Sequence, residues 1–314
     1  MRQKSSSELI RFREMTVKFS KYFDGLVWAA LIASMVTVIM GGIVRVTGSG
    51  LGCPDWPLCY GNVIPPWDLS AWIEYTHRLS AMSVGILTLI MVFSGTAKYG
   101  WGSRILKLAV TVLLLVLVQG AFGAFTVLSE ISPGVALVHT GIAMAIIGVL
   151  SVLISVIHSI LLSDSENGSP VGIGDLKWKV ALLAGLSYVV ILSGAYVTRT
   201  GASLVCSSIV LCGVPILEMG HVHWNHMVHR LLVFLLFIWT IRVIMLVATV
   251  QVSRMVSTVS YLVMFLLAIQ IVLGLGNVIF ELPAELRVLH LVFATWFFAE
   301  SVYLTGRIWN YNTS

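Results

Sequence analysis

The stretch WIEYTHRLS at residues 72–80 recurs as WNHMVHRLL at residues 224–232, with the second histidine and the arginine of the later copy aligned to those of the first. Further positions match at offsets of 151 to 153 residues, and they are Cys53 with Cys206, Cys59 with Cys212, Gly41 with Gly194, Gln119 with Gln270, Gly123 with Gly274 and His139 with His290. An offset that drifts by only two residues over this length indicates an internal duplication.

Composition places the repeated unit in a lipid bilayer. Of the 314 residues, 58% are hydrophobic and 11% are charged, and the mean hydropathy is +0.96, which excludes an ordinary soluble domain. Apolar runs near or above the roughly 20 residues that span the hydrocarbon core lie at about 26–46, 73–95, 105–128, 135–162, 179–199, 225–248, 257–280 and 287–306. The sequence therefore predicts an all-α integral membrane protein with eight transmembrane helices.

Each copy of the repeat holds four of these helices, so the second copy enters the membrane in the same direction as the first. This pattern predicts two tandem four-helix bundles related by a parallel, pseudo-twofold repeat. The expected boundaries are 1–25 for a cytoplasmic N-terminal segment, 26–162 for the first bundle, 163–178 for a polar cytoplasmic linker, 179–306 for the second bundle and 307–314 for a cytoplasmic tail.

The basic residues predict how the chain is oriented, because Lys and Arg near short loops favour the cytoplasmic side. They concentrate before the first helix, after the second, before the fifth and after the eighth. Both termini are therefore expected in the cytoplasm and all four cysteines in loops on the outer face of the cell membrane. This anchoring explains the net charge of +5, and nothing indicates a nucleic acid partner.

Four histidines stand at matching positions near the outer ends of the even-numbered helices, and they are His77, His139, His229 and His290. A single histidine there could simply bond to a neighbouring helix, but four at matching depth favour a functional site. Two imidazoles on facing helices can supply both axial ligands of a haem. Zinc would need more ligands than one histidine pair and one acid.

Arginines at the outer helix ends run against the usual charge bias, and they are Arg45, Arg78, Arg199, Arg230 and Arg287. Each could bind an anion such as a haem propionate, or it could reach toward the lipid headgroups. Two glycines, Gly123 and Gly274, could let a flat ring approach the backbone or could serve close helix packing.

The two halves differ where Glu74 of the first corresponds to His226 of the second. Glu74 precedes His77 by three residues, so both side chains share one helix face. A carboxyl group at the membrane boundary can act in acid–base chemistry, or it can pair with Arg78. The first half is therefore the better candidate for chemistry, and the second for a permanent electron-transfer haem.

Five stretches on this duplicated eight-helix scaffold resemble the heme A synthase family of bacteria and mitochondria, and they are GGIVRVTGSGLGCPDWPLCYG (41–61), EYTHR (74–78), LVHTG (137–141), MVHR (227–230) and VLH (288–290). The resemblance implies oxidation of one ring methyl of haem O to a formyl group by successive hydroxylations, giving haem A for terminal oxidases. It also implies residue roles, namely Glu74 in catalysis, His77 and His139 as ligands of substrate haem O, and His229 and His290 as iron ligands of a haem b cofactor. The position of the arginines separately makes Arg78 a candidate contact of the substrate haem, and Arg45, Arg199, Arg230 and Arg287 candidates to bind haem propionates.

The outer loops are an oxidising setting, so we expect the disulfides Cys53–Cys59 and Cys206–Cys212, although four cysteines permit three pairings. A structural staple and a redox role both stay open. The expected partners are haem O synthase, terminal oxidase assembly factors, an electron-transfer protein and the lipid bilayer, and a homo-oligomer is compatible with the sequence. The alternative functions are a bis-histidine di-haem b membrane electron-transfer cytochrome and a transporter.

Overall fold

The computed structural model describes residues 6–161, 172–206, 208, 212–213, 215–250 and 252–310, with side chains from Tyr22 onward. The first basic residues of the predicted N-terminal segment, most of the predicted linker and the end of the predicted tail lie outside the described residues.

Eight long helices make up almost all of the described chain. They are α1 (Ser6–Val46), α2 (Leu69–Tyr99), α3 (Arg104–Leu128), α4 (Pro133–Leu161), α5 (Ile173–Arg199), α6 (His221–Thr249), α7 (Arg254–Ile279) and α8 (Ala284–Trp309). Each contains a span long and apolar enough to cross a membrane. The predicted all-α, eight-span architecture is confirmed.

Several helices begin before the apolar run that predicted them, because polar residues cap their first turns. Asp68 accepts a hydrogen bond from the backbone N–H of Ala71 at the start of α2, and Ser103 and Ser253 cap α3 and α7 in the same way. Helix α6 begins at His221, before the predicted apolar run at about 225–248, so His221 and His223 lie in its first turn.

The helices pack as two rings of four. In the first half, α1–α2, α2–α3, α3–α4 and α1–α4 are in contact, and in the second half the corresponding pairs of α5–α8 are in contact. Between the halves, α4 packs on α8, α1 on α8 and α4 on α5. A pseudo-twofold axis exchanges α1 with α5 and α4 with α8. It therefore relates the α1–α8 contact to the α5–α4 contact, and it leaves the α4–α8 contact unchanged.

The core of the molecule lies along this interface. Two thirds of the α4 span and half of the α8 span are buried inside the protein, whereas the other six helices bury a third of theirs or less. Those six turn much of their apolar surface outward, where lipid covers it. The duplication is also visible in the backbone, since a glycine of positive φ lies two residues after the end of α1 and of α5, Gly48 at 70° and Gly201 at 72°.

Candidate functional site

The four predicted ligand histidines all lie within the first three turns of an even-numbered helix, at one end of the molecule. His77 of α2 and His139 of α4 lie near each other, and so do His229 of α6 and His290 of α8. The fold thus brings the histidines together in pairs, one pair in each half, as two axial ligands of one haem would be.

Every one of these imidazoles lies against a glycine of a neighbouring helix. A Cβ atom added at Gly194 would stand 3.0 Å from Cε1 of His229, and one at Gly41 would stand 3.1 Å from Cε1 of His77. The corresponding distances are 3.2 Å from Gly274 to His290 and 3.5 Å from Gly123 to His139. The flat ring expected beside Gly123 and Gly274 is therefore the imidazole of a histidine. The missing side chain at each glycine lets the imidazole lie close to the neighbouring helix.

Unsatisfied polar atoms concentrate around these histidines. In the described part of the chain, buried atoms without a hydrogen-bond partner include Nδ1 of His77, His139 and His290, Oε1 of Gln119 and Gln270, and Nε of Arg45. Buried polar groups are normally paired, so such a concentration indicates a site for a polar ligand. The described residues contain no cluster of three or more His, Cys, Asp or Glu side chains of the kind that binds a bare metal ion. Paired imidazoles with arginines nearby fit a haem.

Three arginines meet where the two halves join. Arg45 of α1 interacts electrostatically with Arg199 of α5 and Arg287 of α8, and it donates a 3.4 Å hydrogen bond to Oγ1 of Thr198. Among the residues described, no carboxylate forms an ion pair with any of the three. Like charges gathered at partly buried positions favour an anionic ligand.

Two of these arginines also lie near a histidine of the opposite half. Arg199 of the second half interacts with His139 of the first, and Arg45 of the first half interacts with His290 of the second. The two histidine pairs therefore share one positively charged interface, which repeat analysis alone could not reveal.

Arg78 connects Glu74 to the loop between α1 and α2. Its Nε donates to Oε1 of Glu74 at 2.9 Å, and its two terminal nitrogens donate to the backbone carbonyls of Asp55, Leu58 and Cys53 at 2.7 to 2.9 Å. Glu74 itself is only 5% exposed. The buried carboxylate, the loop and the start of α2 therefore form one hydrogen-bonded unit.

The second half repeats this arrangement without the carboxylate. Arg230 donates to the carbonyls of Ser208 and Cys206, at 2.6 and 3.4 Å. His226, at the position of Glu74, has its Nδ1 2.9 Å from the carbonyl oxygen of Ala202. Both arginines thus hold loops, and their predicted contact with haem propionates stays a prediction.

Both predicted disulfides are present, Cys53–Cys59 and Cys206–Cys212, with Cα atoms 4.7 and 4.2 Å apart. The pairing within each loop is confirmed. In the first loop, the carboxylate of Asp55 accepts the backbone N–H groups of Gly61 and Tyr60 at 2.7 and 2.6 Å. These bonds, with that of Gly61 the largest cause, hold the pKa of Asp55 below its ordinary value.

Comparison with known proteins agrees with this geometry. The family model described as cytochrome oxidase assembly protein (COX15-CtaA) matches residues 24–70 and 67–302. The chain belongs to this family. Its relatives include the proteins named heme A synthase from Bacillus cereus strain G9842, at 30% identity, and from Bacillus cereus strain AH187 and Bacillus anthracis strain A0248, at 29%. Each alignment spans 287 residues, 88% of this chain and 91% of the relative.

One polar group at the other end of the molecule was not predicted from the sequence. His158 has its Nδ1 2.9 Å from the hydroxyl of Tyr303 and its Nε2 3.6 Å from Oδ1 of Asp24. The group joins α1, α4 and α8 at the end of α4 opposite His139. The sequence feature that could have predicted this group is Asp24, an acidic residue at the start of the first apolar run.

Proposed function

We propose that the protein is a heme A synthase, a membrane oxidoreductase that converts one ring methyl of haem O into the formyl group of haem A. The observation that carries the proposal is the pair of glycine-backed histidines in each half of a chain that belongs to the cytochrome oxidase assembly protein family. Heme A synthases related over 88% of the chain support the same activity.

We further propose that the halves divide the work, with residues 26–162 as the substrate half and 179–306 as the cofactor half. Support comes from the asymmetry at Glu74, a buried carboxylate three residues before His77, because His226 occupies the equivalent position before His229 in the second half. His77 and His139 then bind the iron of the substrate haem O, and His229 and His290 bind haem b.

Conversion of a methyl to a formyl group is a four-electron oxidation in which one carbon loses two hydrogens and gains one oxygen atom. C–H bonds must therefore break and protons must move at the site, while an external electron acceptor takes up the electrons. Glu74 is suited to take part because it is buried, it lies on the helix face of His77, and Arg78 holds it in a fixed position. When bound, haem b supplies one-electron redox chemistry. The chain's own contribution is to orient the substrate, exclude water and move a proton at the Glu74 carboxyl.

The arginines at the interface would neutralise haem propionates. Arg45, Arg199 and Arg287 carry three positive charges with no carboxylate ion-paired to them in the described residues, and arginine binds carboxylates in a two-pronged geometry. Because Arg45 and Arg199 each approach the histidine of the opposite half, anions of both haems would meet at this interface.

The site lies at the end of the molecule where both disulfide loops are found. We propose that this end faces outward from the plasma membrane, as the charge bias predicts. Haem O synthase and terminal oxidase assembly factors are the proposed neighbours, because one must supply the substrate and the others must receive the product.

The rival function, a di-haem b cytochrome, makes a different product. Expression with a supply of haem O, followed by extraction and chromatography of the bound haems, decides between them. A heme A synthase yields haem A or its hydroxylated precursor. Haem b alone indicates the electron-transfer cytochrome, and a protein without haem contradicts both.

A further inference from the structure

The proposed iron ligand His229 has a hydroxyl partner. Its Nδ1 lies 2.7 Å from Oγ of Ser193, one residue before the glycine that contacts the same ring. The Ser193 hydroxyl donates its own proton to the carbonyl of Val190 at 2.8 Å. Its oxygen is therefore left to accept the Nδ1–H of His229, and Nε2 is free for a metal.

The first half has no such hydroxyl. The repeat places Met40 at the position of Ser193 and Gly41 at that of Gly194. Nδ1 of His77 makes no hydrogen bond with any described residue. Each ring also has a backbone carbonyl near it, that of Thr37 for His77 and that of Val190 for His229. The glycine contacts of the two rings are nearly the same, 3.1 and 3.0 Å. The two rings therefore differ in whether a hydroxyl group is bonded to Nδ1.

A hydrogen bond on the far nitrogen of a ligating histidine fixes its tautomer and ring orientation and makes it a stronger ligand. A thioether sulfur is only a weak acceptor. We propose that Ser193 is the positioning residue that lets the second half retain its haem, and that Met40 leaves the first-half haem exchangeable. This deepens the proposed function, on which it rests, since a substrate haem must enter and a product haem must leave.

The test is the rate at which haem leaves the purified full-length protein. Protein reconstituted with added ferric haem b is mixed with excess apomyoglobin, and haem transfer is followed by absorbance. The wild type should show a fast and a slow phase. Ser193→Ala should accelerate the slow phase on the order of 10- to 100-fold and raise the midpoint potential of that haem, because a less basic ligand stabilises ferric iron less.

Ser187→Ala is the matched control. Ser187 lies on the same helix, is buried, and among the described residues bonds only the Ala184 carbonyl within its own helix. It should leave both rates and the potential unchanged, Ser193→Thr should behave as wild type, and Met40→Ser should slow the fast phase. Equal rates and potentials for Ser193→Ala and Ser187→Ala would overturn the inference.

This outcome is distinguishable from failure of the proposed function. If the wild type binds haem b but never forms haem A, the synthase assignment fails while the haem transfer comparison still decides the role of Ser193. A wild-type protein that takes up no haem overturns both.

Discussion

Glu74 and Arg78 form an ion pair across one turn of α2, with Nε of Arg78 2.9 Å from Oε1 of Glu74. The remaining donors of the same guanidinium bind carbonyls of the disulfide loop. Arg78 therefore serves the fold, and Glu74 keeps an ionisable carboxyl beside His77. Substitutions can separate a chemical role of Glu74 from a structural one.

Glu74→Gln should preserve the fold and the bound haem b but slow haem O oxidation on the order of 10²- to 10⁴-fold. The amide oxygen can still accept the Arg78 hydrogen bond, so packing changes little, while proton transfer at the carboxyl is lost. The measurement is haem A formed per haem b-loaded protein. His226→Gln, at the equivalent position, is the control and should keep activity. If Glu74→Gln lowers only yield and surviving molecules still make haem A, Glu74 is a structural partner of Arg78.

Replacing either second-half histidine should remove the resident low-spin haem b spectrum. His229→Ala or His290→Ala each deletes one axial ligand, and a six-coordinate haem needs both. Absorbance and electron paramagnetic resonance of the purified variants check this. His77→Ala and His139→Ala should keep the haem b signal. The reverse pattern would exchange the roles of the two halves.

Alanine in place of the histidine-contacting glycines should weaken haem binding in the order of their contact distances. Gly194→Ala, at 3.0 Å, should displace His229 and lower haem retention on the order of tenfold, whereas Gly123→Ala, at 3.5 Å, should be tolerated. Gly185→Ala on α5, where the added methyl would meet no atom within 4 Å apart from the adjoining residues and backbone of its own helix, should stabilise the helix by roughly 1 kcal/mol. Haem content per folded protein is the measurement, and equal losses at Gly194 and Gly185 would contradict the prediction.

Acid should open the first disulfide loop before the second. The folded-state pKa of Asp55 is depressed, so its stabilising bonds are complete above its unfolded pKa of about 3.9 and are lost as the pH falls through the folded value. Reduction of Cys53–Cys59 by a phosphine should accelerate below about pH 4. Cys206–Cys212, whose loop has Ser208 at the equivalent position, should not follow this titration. Asp55→Asn should remove the pH dependence in the first loop.

Both disulfide loops should react only from the outside of the cell. A membrane-impermeant thiol reagent, applied to intact cells after reduction, should label all four cysteines, and without reduction it should label none. Labelling that requires broken cells would reverse the proposed orientation of the molecule.

The number of helices, the duplication and the disulfide pairing could be predicted because they depend on local composition and spacing. Apolar runs and matched offsets carry that information directly. The candidate histidines followed from the same offsets. Their roles stay predictions.

The contacts between helices could not be predicted in the same way. The approach of Gly41 to His77 depends on how α1 and α2 are rotated about their axes, and the crossing of Arg45 and Arg199 depends on how the halves meet. Ser193 carried a sequence signal, its mismatch with Met40 in the repeat, but only the 2.7 Å contact with His229 gives that mismatch a meaning.

The packing of α4 on α8, with α1–α8 mirrored by α5–α4, has the symmetry of an isologous dimer. Two identical four-helix chains could form the same interface, and an even number of spans leaves the end of one chain on the same side as the start of the next. An ancestor of that kind would have been a homodimer whose two sites could not evolve separately. Joining the genes would have freed each site to change alone, so that Glu74 could arise beside one pair of histidines and Ser193 beside the other.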